Sequence, residues 1–146
     1  MPFIIGLENV KHRENVGSVM RSAYNFGAAS VFTIGRRYKR QSTDTPNTPK
    51  QIPVMNFENW DDYRTHAFSW IHIGVELTEN ANSILNFVHP PQCVYLLGPE
   101  DGSLSRKAQS ICKYIVKIPS IQCLNLAMAG TVVMYDRLLK GKSYAG

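Results

Sequence analysis

Cysteine is scarce: three in 146 residues, Cys93, Cys112 and Cys123, far apart and without a CxxC pair. A sparse, odd set excludes a disulfide framework and gives no zinc-ribbon spacing, and it fits reduced thiols in a reducing compartment. No apolar run approaches the roughly 18 residues needed to cross a bilayer as a helix. No HxxxH or His-carboxylate spacing suggests a metal, so none is expected. The turn after Leu97 lacks the GxGxxG spacing of a dinucleotide fold. Ten glycines and eight prolines carry no period, which excludes collagen-like and low-complexity chains, and 44% hydrophobic residues exclude a disordered one. The N-terminal apolar run Phe3-Ile4-Ile5 meets charges directly, at Glu8, Lys11, Arg13 and Glu14. This is the reverse of a secretory signal, so a cytoplasmic protein of one domain, residues 1–146, is expected.

Sixteen Lys and Arg against eleven Asp and Glu leave a formal charge of +5. A mild basic excess is compatible with a nucleic-acid partner without requiring one. Its distribution says more: Arg36, Arg37, Lys39 and Arg40 place a quarter of the basic residues within five positions. That run could track phosphates, with Tyr38 available to stack on a base, or it could be a solvated loop.

Short apolar runs alternate with amphipathic stretches. Strands are expected over Phe3–Leu7, Val31–Ile34, Ile71–Leu77, Cys93–Gly98 and Tyr114–Ile118, with an edge strand at Pro53–Met55. Helices are expected from Asn15 as N-cap to about Phe26 with Gly27 as its stop, over Trp60–Thr65, from Ser105 to about Cys112, and from about Asn125 to Lys140 with Gly141 as its stop. Gly35–Gln51 breaks the pattern and reads as a long loop. This alternation predicts an α/β domain with a mostly parallel sheet covered on both faces. Such sheets bind ligands at the C-terminal ends of their strands, here the loops after Leu7, Ile34, Leu77, Gly98 and Ile118.

Three of those loops carry chemistry-bearing residues. Glu14-Asn15-Val16-Gly17-Ser18-Val19-Met20-Arg21 opens the first helix; Ser18, Arg21 and Asn25 fall opposite its apolar stripe of Val16, Val19, Met20 and Ala23. The segment is either an N-capped helix with one exposed arginine or an anion site. Leu97-Gly98-Pro99-Glu100-Asp101 is a strand-turn-helix connection that could aim Glu100 at a hydroxyl or cation. Ile118 to Asn125 is a loop leading into a helix apolar nearly all round, which must be buried within the monomer or against a second subunit.

Together and in this order, Asn15-x-Gly17-x-x-x-Arg21, Gly98-Pro99-Glu100, and Ile118-Pro119 followed by Leu124-Asn125-Leu126 resemble the three motifs of the SpoU (TrmH-like) branch of the SPOUT RNA methyltransferases. The resemblance covers essentially the whole chain and matches the minimal single-domain form. It implies a C-terminal deep trefoil knot, a homodimer, and transfer of the methyl group of S-adenosylmethionine to a ribose 2′-hydroxyl of RNA, with tRNA favoured over rRNA. The methyl donor would lie among three loops, on Leu77, Thr78, Leu97, Gly98, Pro99, Glu100, Ile118, Leu124, Leu126 and Ala127.

Arg21 matches the family's proposed catalytic arginine. Asn15 and Asn125 would position Arg21 and the ribose, while Glu100 would organise the site between subunits. RNA contacts would come from Arg13 with its neighbours Lys11 and His12, and from Arg36, Arg37, Lys39 and Arg40. Three positions depart from the family pattern: Cys123 where serine is frequent, Ser103 where glycine is usual, and Ala127 in place of a small polar residue. They keep open a second class of function, an RNA-binding knotted dimer that does not modify its ligand or needs a partner to do so. An unrelated α/β small-molecule enzyme is a third.

Overall fold

A computed structural model of the protein describes residues 2–37, 52–66 and 69–145. Seven strands and four helices alternate: β1 (Phe3–Glu8), α1 (Arg13–Asn25), β2 (Ser30–Ile34), β3 (Val54–Phe57), α2 (Trp60–Thr65), β4 (Ile71–Val75), β5 (Asn82–Ser83), β6 (Cys93–Leu97), α3 (Arg106–Ile111), β7 (Cys112–Lys117) and α4 (Leu126–Ala145). A single 3-10 turn, Ile84–Asn86, follows β5. The strands form one sheet of order β3-β2-β1-β6-β4-β7-β5, and every pairing is parallel.

The period-2 alternation of the strands divides the core in two. Phe3, Ile5, Leu7, Val31, Ile73, Cys93, Tyr95 and Leu97 face one side, where Val16, Val19, Met20 and Ala23 of α1 and Leu126, Ala127, Val133 and Met134 of α4 cover them. Ile4, Phe32, Ile34, Val94 and Leu96 face the other, under Trp60 and Tyr63 of α2, Leu104, and Ala108 of α3. Helices on both faces leave β1, β2 and β6 buried along their whole length, which is why these strands read as continuous apolar runs.

Two expected helix boundaries are corrected. Asn15 is not the N-cap of α1; the helix starts at Arg13 with His12 as a cap that makes no side-chain bond. The reason is that Glu100, from the far side of the sheet sequence, takes the Lys11 and His12 N–H groups at 2.7 and 2.8 Å. A carboxylate at a helix N-terminus is also favoured by the helix dipole. Gly141 does not stop α4, which continues to Ala145. A glycine ends a helix by entering the left-handed region, as Gly27 does after α1 with φ +82°, and Gly141 stays out of it. Asn125 does cap α4: its Oδ1 accepts the Ala127 and Met128 N–H groups at 2.9 and 3.3 Å.

The expected strand and helix over 105–118 hold with a shifted boundary, Cys112 belonging to β7 rather than to α3. Of the Gly35–Gln51 loop, residues 38–51 lie outside the described residues, and Tyr38, Lys39 and Arg40 with them.

Candidate functional site

Val75, Leu97 and Val116 stand side by side at the C-terminal ends of β4, β6 and β7. The loops that leave these strands enclose a cleft of about 300 Å³. Val75, Glu76 and Leu77 come from the first loop, Leu97, Gly98, Pro99, Glu100 and Gly102 from the second, and Ile118, Ser120, Cys123, Leu124 and Asn125 from the third, with Leu126 and Ala129 of α4 closing it. The site thus lies where open parallel sheets bind ligands. Gly98 is required by a close approach: a Cβ there would lie 3.0 Å from the Leu104 nitrogen and 3.3 Å from Glu76 Oε1.

A chain of three side chains closes one wall. Glu100 Oε2 accepts from Asn15 Nδ2 at 2.8 Å, and Asn15 Oδ1 accepts from Asn125 Nδ2 at 3.1 Å. The direction of every bond is forced. A carboxylate only accepts, so Asn15 must turn its amide N–H₂ to Glu100 and its carbonyl to Asn125. Asn125 must therefore donate, which leaves its own carbonyl for the first N–H groups of α4. One network ties the N-terminus of α1, the loop after β6 and the N-terminus of α4. Burial pushes the Glu100 carboxyl up, but the hydrogen bonds from Lys11, Asn15 and His12 outweigh it and hold the group below the usual carboxylate range.

Glu76 behaves in the opposite way. Its backbone N–H extends the sheet, donating to the Val116 carbonyl at 3.0 Å, and its Oε1 accepts the Leu104 N–H. Burial raises its carboxyl above the usual range and Glu8 raises it further, while the Leu104 N–H opposes them. Glu8 is buried at the end of β1. It accepts from Trp60 Nε1 at 2.6 Å and from the Ser105 backbone at 2.7 Å, and so fixes α2 and the start of α3 behind the cleft.

The expected donor-binding residues Leu77, Leu97, Gly98, Pro99, Glu100, Ile118, Leu124 and Leu126 all line this cleft. Thr78 and Ala127 do not; Ala127 is buried beneath it, its N–H held by Asn125. Val75, Glu76, Gly102, Ser120 and Ala129 line it without having been singled out from the sequence. Glu76 was hidden because it directly follows an apolar strand and reads as that strand's polar end. Cys123 is an exposed free thiol on the rim. Ser103 is exposed beside the turn.

Asn15, Glu100 and Asn125 are brought together, whereas Arg21 is not brought to them. It stands exposed on α1, about 9 Å further along the helix axis than Asn15 and on the side opposite the buried stripe. Arg13 is half-buried in the first turn of α1 and Arg36 is exposed. Arg37 is tied down: its Nη2 and Nη1 reach Asp101 at 2.8 and 3.2 Å, and its Nε donates to the Asn9 carbonyl at 2.9 Å. Among the described residues no group of three or more His, Cys, Asp or Glu could hold a metal ion, and no helix is long and apolar enough to cross a membrane.

Residues 2–135 match the model of the SpoU rRNA Methylase family. An uncharacterized tRNA/rRNA methyltransferase of Archaeoglobus fulgidus is 27% identical over 142 residues, covering 91% of this chain and 62% of that protein. This chain spans about three fifths of the length of the curated relatives it matches. The AdoMet-bound rRNA methyltransferase of Sinorhizobium meliloti superposes with a TM-score of 0.82 at 19% identity, over 95% of this chain and 56% of that one. A protein studied for 2-OH methylation of C/U34 on tRNA superposes with a TM-score of 0.80 at 18% identity, over 95% of this chain and 97% of that one.

Proposed function

Because the chain belongs to the SpoU rRNA Methylase family, the SpoU/TrmH branch of the SPOUT methyltransferases, we propose that it methylates RNA at a ribose 2′-hydroxyl, with S-adenosylmethionine as the donor and tRNA as the favoured substrate. The observation that carries this reading is the cleft itself. Its size is that of a small-molecule site, its walls are apolar at Leu97, Ile118, Leu124 and Leu126, and polar groups converge at its mouth. Those features suit an adenosine bearing a charged tail.

The bound donor supplies an activated methyl on a sulfonium, so neither a metal nor a covalent enzyme intermediate is needed. The chain has then to align a weakly acidic hydroxyl for in-line attack on the methyl, whose bond to sulfur breaks to release the neutral thioether, and to stabilise the alkoxide character that the oxygen gains as its proton leaves to solvent. Asn15 and Asn125, locked to each other and to Glu100, are held rigidly at the entrance and position the ribose. Arg21 stabilises the developing charge and holds an RNA phosphate. It does so as a cation, through the planar fork of donors that suits a phosphate.

Arg21 stands apart from the cleft of its own chain, which supports a homodimer in which each cleft meets the partner's α1. An exposed apolar row on α4 supports the same assembly. The strand order supports a C-terminal trefoil knot around the cleft: β6 returns between β1 and β4, and the chain then crosses β4 to reach β7. Such a knot is a rare exception among folds.

The test is transfer of radiolabelled methyl from S-adenosylmethionine into tRNA and rRNA pools, with Arg21→Ala alongside. The expected result is a labelled 2′-O-methylnucleoside from tRNA and a loss of about a hundredfold or more in the variant. Transfer by the variant at the wild-type rate would remove Arg21 from the mechanism. No label in either pool from folded protein would overturn the enzyme reading in favour of an RNA-binding dimer.

A further inference from the structure

Two carboxylates line the cleft, and they are not equivalent. Glu100 has both oxygens engaged, by two backbone N–H groups and the Asn15 amide. Glu76 uses only Oε1, on the Leu104 N–H; its Oε2 has no partner among the described residues. The side chain is nevertheless not loose. The sheet bond to Val116 fixes its backbone, the Leu104 bond fixes one oxygen, and Gly98 stands against that oxygen with no Cβ to push it away. Among the described residues the charged groups around it are both acidic: Glu8 at the end of β1, which acts on it electrostatically, and Glu100 in the wall of the same cleft. A half-buried anion held in place without a compensating cation is a site for positive charge on a ligand.

We propose that Glu76 is the specificity-determining residue that makes this cleft prefer the cationic sulfonium donor over the neutral thioether product. The inference rests on the methyltransferase reading of the cleft. The two ligands share their adenosine, α-amino and carboxylate groups and differ by one methyl and one positive charge. A carboxylate directed at the charge distinguishes them; one directed at the ribose hydroxyls would not. The preference also clears the product, because transfer of the methyl removes the charge that Glu76 attracts.

The test is titration calorimetry of S-adenosylmethionine and S-adenosylhomocysteine against the wild type and Glu76→Gln, a variant that keeps the acceptor for the Leu104 N–H. Donor affinity is expected to fall by about tenfold in the variant, with product affinity unchanged within a factor of about two. Because burial raises the Glu76 carboxyl, the wild-type preference for the donor should also narrow as the pH is lowered and that group takes up a proton. The groups the two ligands share cancel in the ratio. This second arm decides the matter if Glu76→Gln does not fold. Equal weakening of both ligands, or no change in their ratio in either arm, overturns the proposal. Wild-type protein that binds neither compound is a different failure: it removes the methyltransferase reading, and the role of Glu76 with it.

Discussion

Asn15 and Glu100, 85 residues apart in the chain, meet through a 2.8 Å hydrogen bond that sets the polarity of every other bond at the cleft wall. Since Glu100 can only accept, Asn15→Asp places a second acceptor and a like charge against it, whereas Asn15→Ala removes the donor to Glu100 and the acceptor for Asn125 without adding a charge. Asn15→Asp is therefore expected to destabilise more than Asn15→Ala, which costs about 1 kcal/mol. Adding Glu100→Gln to Asn15→Asp should recover part of the loss, because the like charge is gone and the new amide can donate to the new carboxylate, although the oxygen it replaces also serves the His12 N–H. Urea unfolding of the wild type, Asn15→Asp, Glu100→Gln and the double variant checks this as a double-mutant cycle, with Asn15→Ala measured alongside. Additive losses with no recovery would show that the pair does not act as a unit.

The two buried histidines contribute to the pH dependence of stability. His72 Nδ1 lies 2.8 Å from the Trp70 carbonyl and must donate to it, so Nε2 accepts from the Tyr63 hydroxyl at 2.6 Å. His89 Nε2 donates to Asp136 at 2.6 Å and its Nδ1 accepts from the Tyr95 hydroxyl at 2.6 Å. Both rings are thus neutral tautomers with both nitrogens used. Burial lowers both below the usual histidine value, outweighing the Trp70 carbonyl at His72 and Asp136 at His89, where Lys140 and Arg137 add to the lowering. A histidine lowered on folding binds its proton more readily when unfolded, so stability is fully present above about pH 6.5 and is lost as pH falls below it. Urea midpoints are expected to drop between about pH 7 and pH 5, and His72→Gln should flatten part of that slope. A His72→Gln variant that keeps the full wild-type slope would contradict the His72 assignment.

Much of the layout was legible in the sequence, and the misses share a physical cause. The strands of a sheet covered on both faces announce themselves as apolar runs, and Trp60–Thr65 emerged with the expected bounds because Asn59 caps it locally, its Oδ1 taking the Asp62 N–H at 2.8 Å. Asn125 as a cap was likewise a local matter. The start of α1 was not, since the group that serves its N-terminus is Glu100, and no spacing near Asn15 reveals a partner 85 residues away. Arg37 reads as one of a run of cations, yet its bond to Asp101 depends on two loops that only the folded sheet brings together. Glu76 escaped notice for the same reason: its partners, Leu104 and Gly98, lie on elements that meet it only across the cleft. β5, two residues long, is too short for any periodicity to mark it.

Of the two ways in which α4 was expected to be buried, within the monomer or against a second subunit, the chain itself accounts for one face only, and the exposed face carries the last prediction. Leu126, Ala127, Val133 and Met134 are buried against the sheet, while Met128, Val132, Tyr135 and Leu139 are 62, 39, 54 and 55% exposed. Their spacing of four, three and four residues puts them in one row along the helix. Tyr24 of the neighbouring α1 is 51% exposed, and the two helices are joined by Ser22 and Thr131 at 2.6 Å and by the edge contact of Phe26 with Tyr135. A continuous apolar row of this size on a folded chain marks an interaction surface. In the proposed homodimer it is covered by the same row of a second copy. Met128→Lys with Leu139→Lys should therefore convert a sedimenting dimer into a monomer without loss of helix signal, because both side chains are more than half exposed on their own chain. The same variant should lose methyl transfer along with the dimer, since Arg21 would no longer meet a partner's cleft, while still binding the methyl donor in its own. Wild-type protein that sediments as a monomer at micromolar concentration, or a monomeric variant that transfers methyl at full rate, would dissociate Arg21 from any composite site.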